Sequence, residues 1–241
     1  MDEGTYDEMW PGGPLFIRDD KSFRPGTDSV LLAAFAAGGQ AVRVCDLGCG
    51  TGIISILLAW NDTLLSVDGV EIQTDWAVLA RANATLCRLG NRITIIDGDL
   101  RRHRDFLKAG AYDLVVSNPP YYASGSGKSS NRISRADARE ERECTIADIA
   151  ATAAYLTRWG GRFALVHKPE RLAEVICTLS KSGLEPKRLR FVQYRADSAP
   201  NLVLIESRRG GNPSLTVEPP LILTDANGHD TDEIKKIYHR E

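Results

Sequence analysis

Asn118-Pro119-Pro120-Tyr121 is suited to holding a planar amino group while its nitrogen attacks an electrophile. Asn118 offers a side-chain carbonyl oxygen and Pro119 a backbone carbonyl. Together they can accept both hydrogens of an exocyclic NH2. The lone pair of such a nitrogen is normally delocalised into its ring or carbonyl. Acceptors placed in tetrahedral directions favour a more sp3-like nitrogen, which is electrostatic stabilisation of the transition state. Holding both reactants in line adds a proximity effect. Tyr121 can stack on a ring face, which is worth about 1–3 kcal/mol per base, and Tyr122 can wall the same pocket. A base must be single-stranded, looped out or flipped to reach such a corner. No metal or covalent intermediate is required. Taken alone, the tetrapeptide reads equally well as a rigid turn. It follows Tyr112–Ser117, however, an apolar run with the pattern of a buried strand, so it stands at a strand's carboxyl end.

A second constellation lies upstream. Asp46-Leu47-Gly48-Cys49-Gly50-Thr51-Gly52 joins an apolar strand to a helical pattern, and its glycines permit a tight turn and close backbone approach to a ligand. A dinucleotide fingerprint would have glycine at Ile53, and a phosphate-cradling P-loop would have lysine, so neither pattern fits. Glu71 ends the next strand, where a carboxylate can accept two hydrogen bonds from a ribose diol and disfavours a phosphorylated ribose. The alternative for the glycines is a plain strand-to-helix turn.

These residues need a frame, and the chain alternates strand and helix patterns. Strands are expected at Val42–Asp46, within Leu64–Ile72 with its end at Val70-Glu71, and at Ile93–Ile96, Tyr112–Ser117 and Phe163–Val166, followed by Leu184–Tyr194 and Asn201–Ser207 with no helix between them. Helices are expected from Gly52 to Trp60, from Thr74 to Leu89, from Ile149 to Leu156 after a cap at Thr145 with Asp148, and after Pro169. Gly160-Gly161 reads as the stop of the third of these. The expectation is an α/β fold with a mostly parallel seven-stranded sheet, a late antiparallel hairpin and helices on both faces. Ligands in such folds bind beyond the carboxyl ends of the strands at the topological switch point, where both motifs fall. One domain over 1–241 is expected, with an N-terminal extension 1–39, an insert 123–143 and a tail 210–241.

Composition narrows the function classes. Hydrophobic content of 43% and charged content of 26% are ordinary for a globular protein. A net charge of -2 gives no global case for nucleic acid, though a local basic face is compatible with it. No apolar run reaches the roughly 18 residues of a membrane span, and the acidic start Met1-Asp2-Glu3-Gly4 lacks a signal-peptide core. No membrane association and a cytoplasmic location are therefore expected. Cys45, Cys49, Cys87, Cys144 and Cys177 form no CxxC pair, and the four histidines share no ligand spacing, so no metal is expected.

Asp46 to Gly52, Glu71 and Gly98-Asp99 resemble the motifs of the class I S-adenosylmethionine-dependent methyltransferases, which have a Rossmann-like fold. The resemblance implies that the loop Asp46, Gly48, Cys49, Gly50 and Gly52 passes the methionine part of S-adenosyl-L-methionine. It further implies that Glu71, with Ile72 beside it, holds the ribose, that Asp99 and Leu100 border the adenine, and that Asn118 also meets the cofactor. Asp99 has an alternative role as a helix cap. The segment Phe23 to Leu32, the Ser117 to Tyr122 stretch, Ala138-Arg139-Glu140, His167 to Leu172 and Glu218 to Leu221 resemble the bacterial tRNA adenine-N6 methyltransferases acting beside the anticodon of a valine tRNA. That resemblance implies methyl transfer to adenine N6 in tRNA, with Asn118, Pro119, Pro120 and Tyr121 catalytic. It places Thr27 and Asp28 over the cofactor, with helix capping as the other reading.

The insert carries Lys128, Arg132, Arg135, Arg139 and Arg142 and is the preferred RNA contact. Arg101, Arg102 and Arg104, and Lys187, Arg188, Arg190, Arg195, Arg208 and Arg209, are further candidates. For any one of them a solvated, salt-bridged surface is the simpler reading. Three rivals remain: a release-factor glutamine methyltransferase, whose amide presents the same NH2, a DNA adenine methyltransferase, and a non-catalytic cofactor-binding RNA module. The first is disfavoured by the short stretch before the first strand, the second by the small insert, and the third by an intact Asn118 and Tyr121. The oligomeric state is open, with a monomer preferred.

Overall fold

A computed structural model describes residues 6–18, 26–120 and 144–240. Phe23, Arg24, Pro25, Tyr121, Tyr122 and the insert lie outside the described residues.

A short antiparallel hairpin, β1 (Tyr6–Glu8) and β2 (Leu15–Ile17), precedes helix α1 (Thr27–Ala36). The sheet then follows: β3 (Arg43–Leu47), α2 (Ile53–Asn61), β4 (Ser66–Glu71), α3 (Thr74–Leu86), β5 (Ile93–Asp97), a 3-10 turn at Leu100–Asp105, and β6 (Tyr112–Ser117). After the insert come α4 (Ile146–Leu156), β7 (Thr157–His167), α5 (Leu172–Lys181), β8 (Leu184–Gln193) and β9 (Pro200–Arg209). Two short strands, β10 (Thr216–Val217) and β11 (Leu221–Ile222), and α6 (Asp232–Ile237) form the tail.

The strand order is β5-β4-β3-β6-β7-β9-β8, with β10 and β11 both paired parallel to the outer edge of β8. The five strands from β5 to β7 are parallel, and β9 runs antiparallel to both β7 and β8. The seven expected strands and the late hairpin are all present, and the tail extends the sheet. From β3 the chain moves outward to β4 and β5, then returns to β6 on the other side. The switch point therefore lies between β3 and β6.

Central strands alternate faces. Val44, Leu114, Val116, Ala164 and Val166 pack with α1, α2 and α3. Cys45, Leu47, Val115, Phe163 and Leu165 pack with α4 and α5. Each side chain points opposite to its neighbour, so an apolar run feeds both layers.

Local signals behave as their chemistry requires. The Thr145 hydroxyl accepts from Asp148 N–H at 3.2 Å and the Asp148 carboxylate accepts from Thr145 N–H at 2.8 Å, a complete capping box for α4. Gly160-Gly161, by contrast, does not end α4. The helix stops at Leu156, and both glycines lie inside β7. There, two steps along β6 (Tyr112 to Leu114) are matched by five along β7 (Thr157 to Arg162), a bulge that Gly160 turns through at φ 75°. α3 likewise ends at Leu86, short of the expected Leu89.

Candidate active site

The carboxyl ends of β3 and β6 are in register: Leu47 pairs with Ser117. Gly48 and Asn118 therefore stand side by side, one residue beyond a paired rung of strands about 4.8 Å apart. Ser117 Oγ donates to the Leu47 carbonyl at 2.9 Å and ties the two strand ends together.

The loop after β3 is held by its neighbour β4. Gly48 and Cys49 N–H both donate to the Val70 carbonyl, at 2.9 and 3.0 Å. One carboxylate oxygen of Glu71 accepts from Gly50 N–H at 2.8 Å and the other from Gln73 N–H at 3.0 Å. Glu71 is 6% exposed, so it staples the glycine loop to the start of α3 from an almost buried position. Each oxygen keeps a second lone pair for a hydroxyl donor. Gly48 adopts φ 71°, and a Cβ built on it would meet nothing within 4 Å: the loop faces open space there.

Asp46 lies beneath the loop, fully buried. Its Oδ2 accepts from Ser55 Oγ at 2.7 Å and Ser55 N–H at 3.1 Å, while Oδ1 has no hydrogen-bond partner. Burial pushes its carboxyl up to about 7, against the pull of the two Ser55 bonds and with the Glu71 charge adding to the rise. Cys49 reaches the site only through its backbone. Its thiol lies in the core against Gly69, where any Cβ would stand 2.9 Å from Sγ, and burial pushes that thiol well above its usual range. Ser55 in α2 and Gly69 in β4 are site-building residues whose role sequence reasoning missed; neither type at its place in an apolar element carries a signal for it.

Ile72 is 45% exposed at the end of β4, next to Glu71. Asp99 caps the 3-10 turn by accepting from Arg101 N–H at 2.9 Å, and its carboxylate also meets the Arg101 guanidinium at 2.6 Å. The capping reading of Asp99 is thus the one displayed, and Arg101 holds the carboxyl below its usual range. Leu100 packs against the α4 side of the core, and its carbonyl accepts from Thr152 Oγ1 at 3.2 Å.

On the β6 side, Asn118 is half-buried, Pro119 buried and Pro120 exposed. Asn118 Nδ2 donates to Ser29 Oγ at 3.0 Å, a bond between the corner and the first turn of α1. Thr27 and Asp28 begin that helix. Gly26 occupies its N-cap position, and Thr27 and Asp28 are the first two residues of the helix. The Thr27 side chain lies against the phenol of Tyr238, which follows α6.

Several candidate RNA-binding cations are already neutralised. Arg190 forms a forked pair with Glu233 at 2.6 and 2.8 Å, Arg188 meets Glu218 at 2.7 Å, and Arg102 meets Asp105 at 2.9 Å. Arg208 and Arg209 donate to the backbone carbonyls of Gly160 and Ser182. Among the described residues, no helix is long and apolar enough to cross a membrane.

Comparison with known proteins gives the family and the fold. The family model "Methyltransferase small domain" matches residues 21–171. A tRNA1(Val) (adenine(37)-N6)-methyltransferase of Aeromonas hydrophila is 33% identical over 195 residues, covering 80% of each chain. The chain belongs to this methyltransferase family. A protein of the same description from Aeromonas salmonicida is 30% identical, covering 92% of this chain and 91% of its own. Among solved structures, a predicted O-methyltransferase from Agrobacterium tumefaciens superposes with a TM-score of 0.72 over 88% of this chain and 96% of its own. At 22% identity, that likeness speaks for the shared methyltransferase fold.

Proposed function

We propose that this protein transfers a methyl group from S-adenosyl-L-methionine to the exocyclic N6 of an adenine in tRNA, the adenine at position 37 of a valine tRNA as its relatives' names describe. The observation that carries the reading is the Asn118-Pro119 corner standing beside the glycine loop at the switch point.

The loop residues fit the cofactor chemically. The partnerless Asp46 Oδ1 beneath the loop, the open space beside Gly48 and the remaining acceptor capacity of Glu71 suit a cationic amino acid joined to a ribose diol. When bound, S-adenosyl-L-methionine supplies an electrophilic methyl group. Glu71 receives the ribose hydroxyls, Ile72 covers a face of the adenine, and Gly48 to Gly52 admit the methionine part with Asp46 beneath. Asp99, already paired with Arg101, contributes the shape of the turn at Leu100. Thr27 and Asp28 close the site from α1. Asn118 Oδ1 and the Pro119 carbonyl accept the two N6 hydrogens, which pyramidalises the nitrogen as it attacks. Pro120 stiffens the corner, and Tyr121 stacks on the target base. The proton lost from N6 leaves to solvent.

The test offers labelled S-adenosyl-L-methionine with bulk tRNA, duplex DNA or release factor as acceptor. Label is expected in tRNA. Label confined to DNA or release factor refutes the RNA assignment while leaving a methyltransferase in place.

A further inference from the structure

We infer that Ser29 is a positioning residue for methyl transfer: its buried hydroxyl holds the Asn118 amide in the one rotation that presents Oδ1, not NH2, to the target nitrogen. The inference rests on the role given to Asn118 above.

An asparagine amide has two rotations of nearly equal shape about its terminal torsion. One turns an acceptor toward an incoming amino group. The other turns a donor toward it, which repels the N6 hydrogens and removes the electrostatic benefit. Asn118 therefore needs a device that tells its two ends apart. Ser29 Oγ lies 3.0 Å from Asn118 Nδ2 and accepts from it. In that bond the Ser29 oxygen is the acceptor, so it engages the NH2 end of the amide.

Such a device works only if both partners are fixed, and they are. α1 is braced at its start by the Tyr238 contact to Thr27. At its end, Arg162 donates to the Ala36 carbonyl at 3.3 Å while paired with Glu206 at 2.9 Å. The Arg188 guanidinium lies 4.4 Å from the Phe35 ring centroid. On the other side, the Ser117 bond to Leu47 and the burial of Pro119 fix the backbone around Asn118. Ser29 is 9% exposed, so solvent cannot readily replace the bond.

The experiment compares Ser29→Ala and Ser29→Thr with wild type for kcat on tRNA, cofactor Kd by calorimetry, and Tm. Ser29→Ala is expected to lower kcat about tenfold with Kd within about twofold. Ser29→Thr, which keeps the hydroxyl, is expected to hold kcat within about twofold of wild type. A wild-type kcat for Ser29→Ala overturns the inference. So does a loss of kcat matched by equal losses of cofactor affinity and Tm, or a Ser29→Thr variant as slow as Ser29→Ala. Should Ser29→Ala fail to fold, Ser29→Cys, similar in shape with a far weaker acceptor, replaces it under the same expectation. Asn118→Ala run in parallel separates the two levels. An inactive Asn118→Ala beside an unimpaired Ser29→Ala refutes only the role of Ser29; an active Asn118→Ala removes the reading beneath it.

Discussion

Across the switch point, the loop after β3 is held by backbone bonds to the adjacent end of β4, whereas the corner after β6 is held by a side chain from α1. Gly48, Cys49 and Gly50 lean on Val70 and Glu71, the last residues of a neighbouring strand. Asn118 leans on Ser29, a residue 89 positions away that lies before the first strand of the large sheet. The first region is a self-contained cradle for binding. The second is assembled from distant parts and carries the chemistry. Because the two halves share few supports, binding and catalysis should separate under mutation.

Asn118→Ala is the severest test of that separation. It should lower turnover by about 10³-fold or more while cofactor Kd, read by calorimetry, stays within about twofold. A large loss of cofactor affinity in this variant would merge the two halves. Glu71→Ala should show the converse. It removes the acceptor for Gly50 and Gln73 N–H, so cofactor affinity should fall about 10- to 100-fold and Tm should drop, with kcat at saturating cofactor within a few-fold of wild type. Intact affinity would mean that the loop stands without its staple.

Asp46 gives the cradle a pH signature. Its folded carboxyl is raised to about 7 by burial, against about 4 when unfolded. Between those values the folded protein binds the extra proton, so this group's contribution to stability declines as pH rises through that window. Denaturation of the cofactor-free protein from pH 4 to 8 should show that decline, and Asp46→Asn should flatten it. An unchanged slope in Asp46→Asn would show that Asp46 is already ionised in the fold. The smallest effect is expected from Tyr238→Phe, which removes the phenol that meets Thr27. A loss of about 1 kcal/mol is expected, or about 2–4 °C in Tm for a chain of this size, with turnover within a few-fold. A wild-type Tm would show that the tail does not brace α1.

The same contrast governs what the sequence can disclose. The glycine loop, Glu71 and the Thr145 capping box are short-range devices, and each is legible because its residue types and spacing are the mechanism itself. The Asn118 corner is legible in its residues but not in its support, since nothing in the order of residues links Ser29 to Asn118. Thr27 reads as a cap because threonine often is one, yet tertiary contact with Tyr238 claims its side chain. Gly160-Gly161 is ambiguous for a different reason: glycine suits a helix stop and a strand bulge alike, and only the β6 register distinguishes them. The two-residue strands β10 and β11 are too short to carry a periodic signal.

Whether the corner after β6 methylates adenine N6 is decided by nucleoside mass spectrometry of tRNA incubated with S-adenosyl-L-methionine and either wild-type protein or Asn118→Ala. N6-methyladenosine is expected with the wild type and none above background with Asn118→Ala. Methylation at another atom, or an equal yield from both proteins, would overturn the role of that corner.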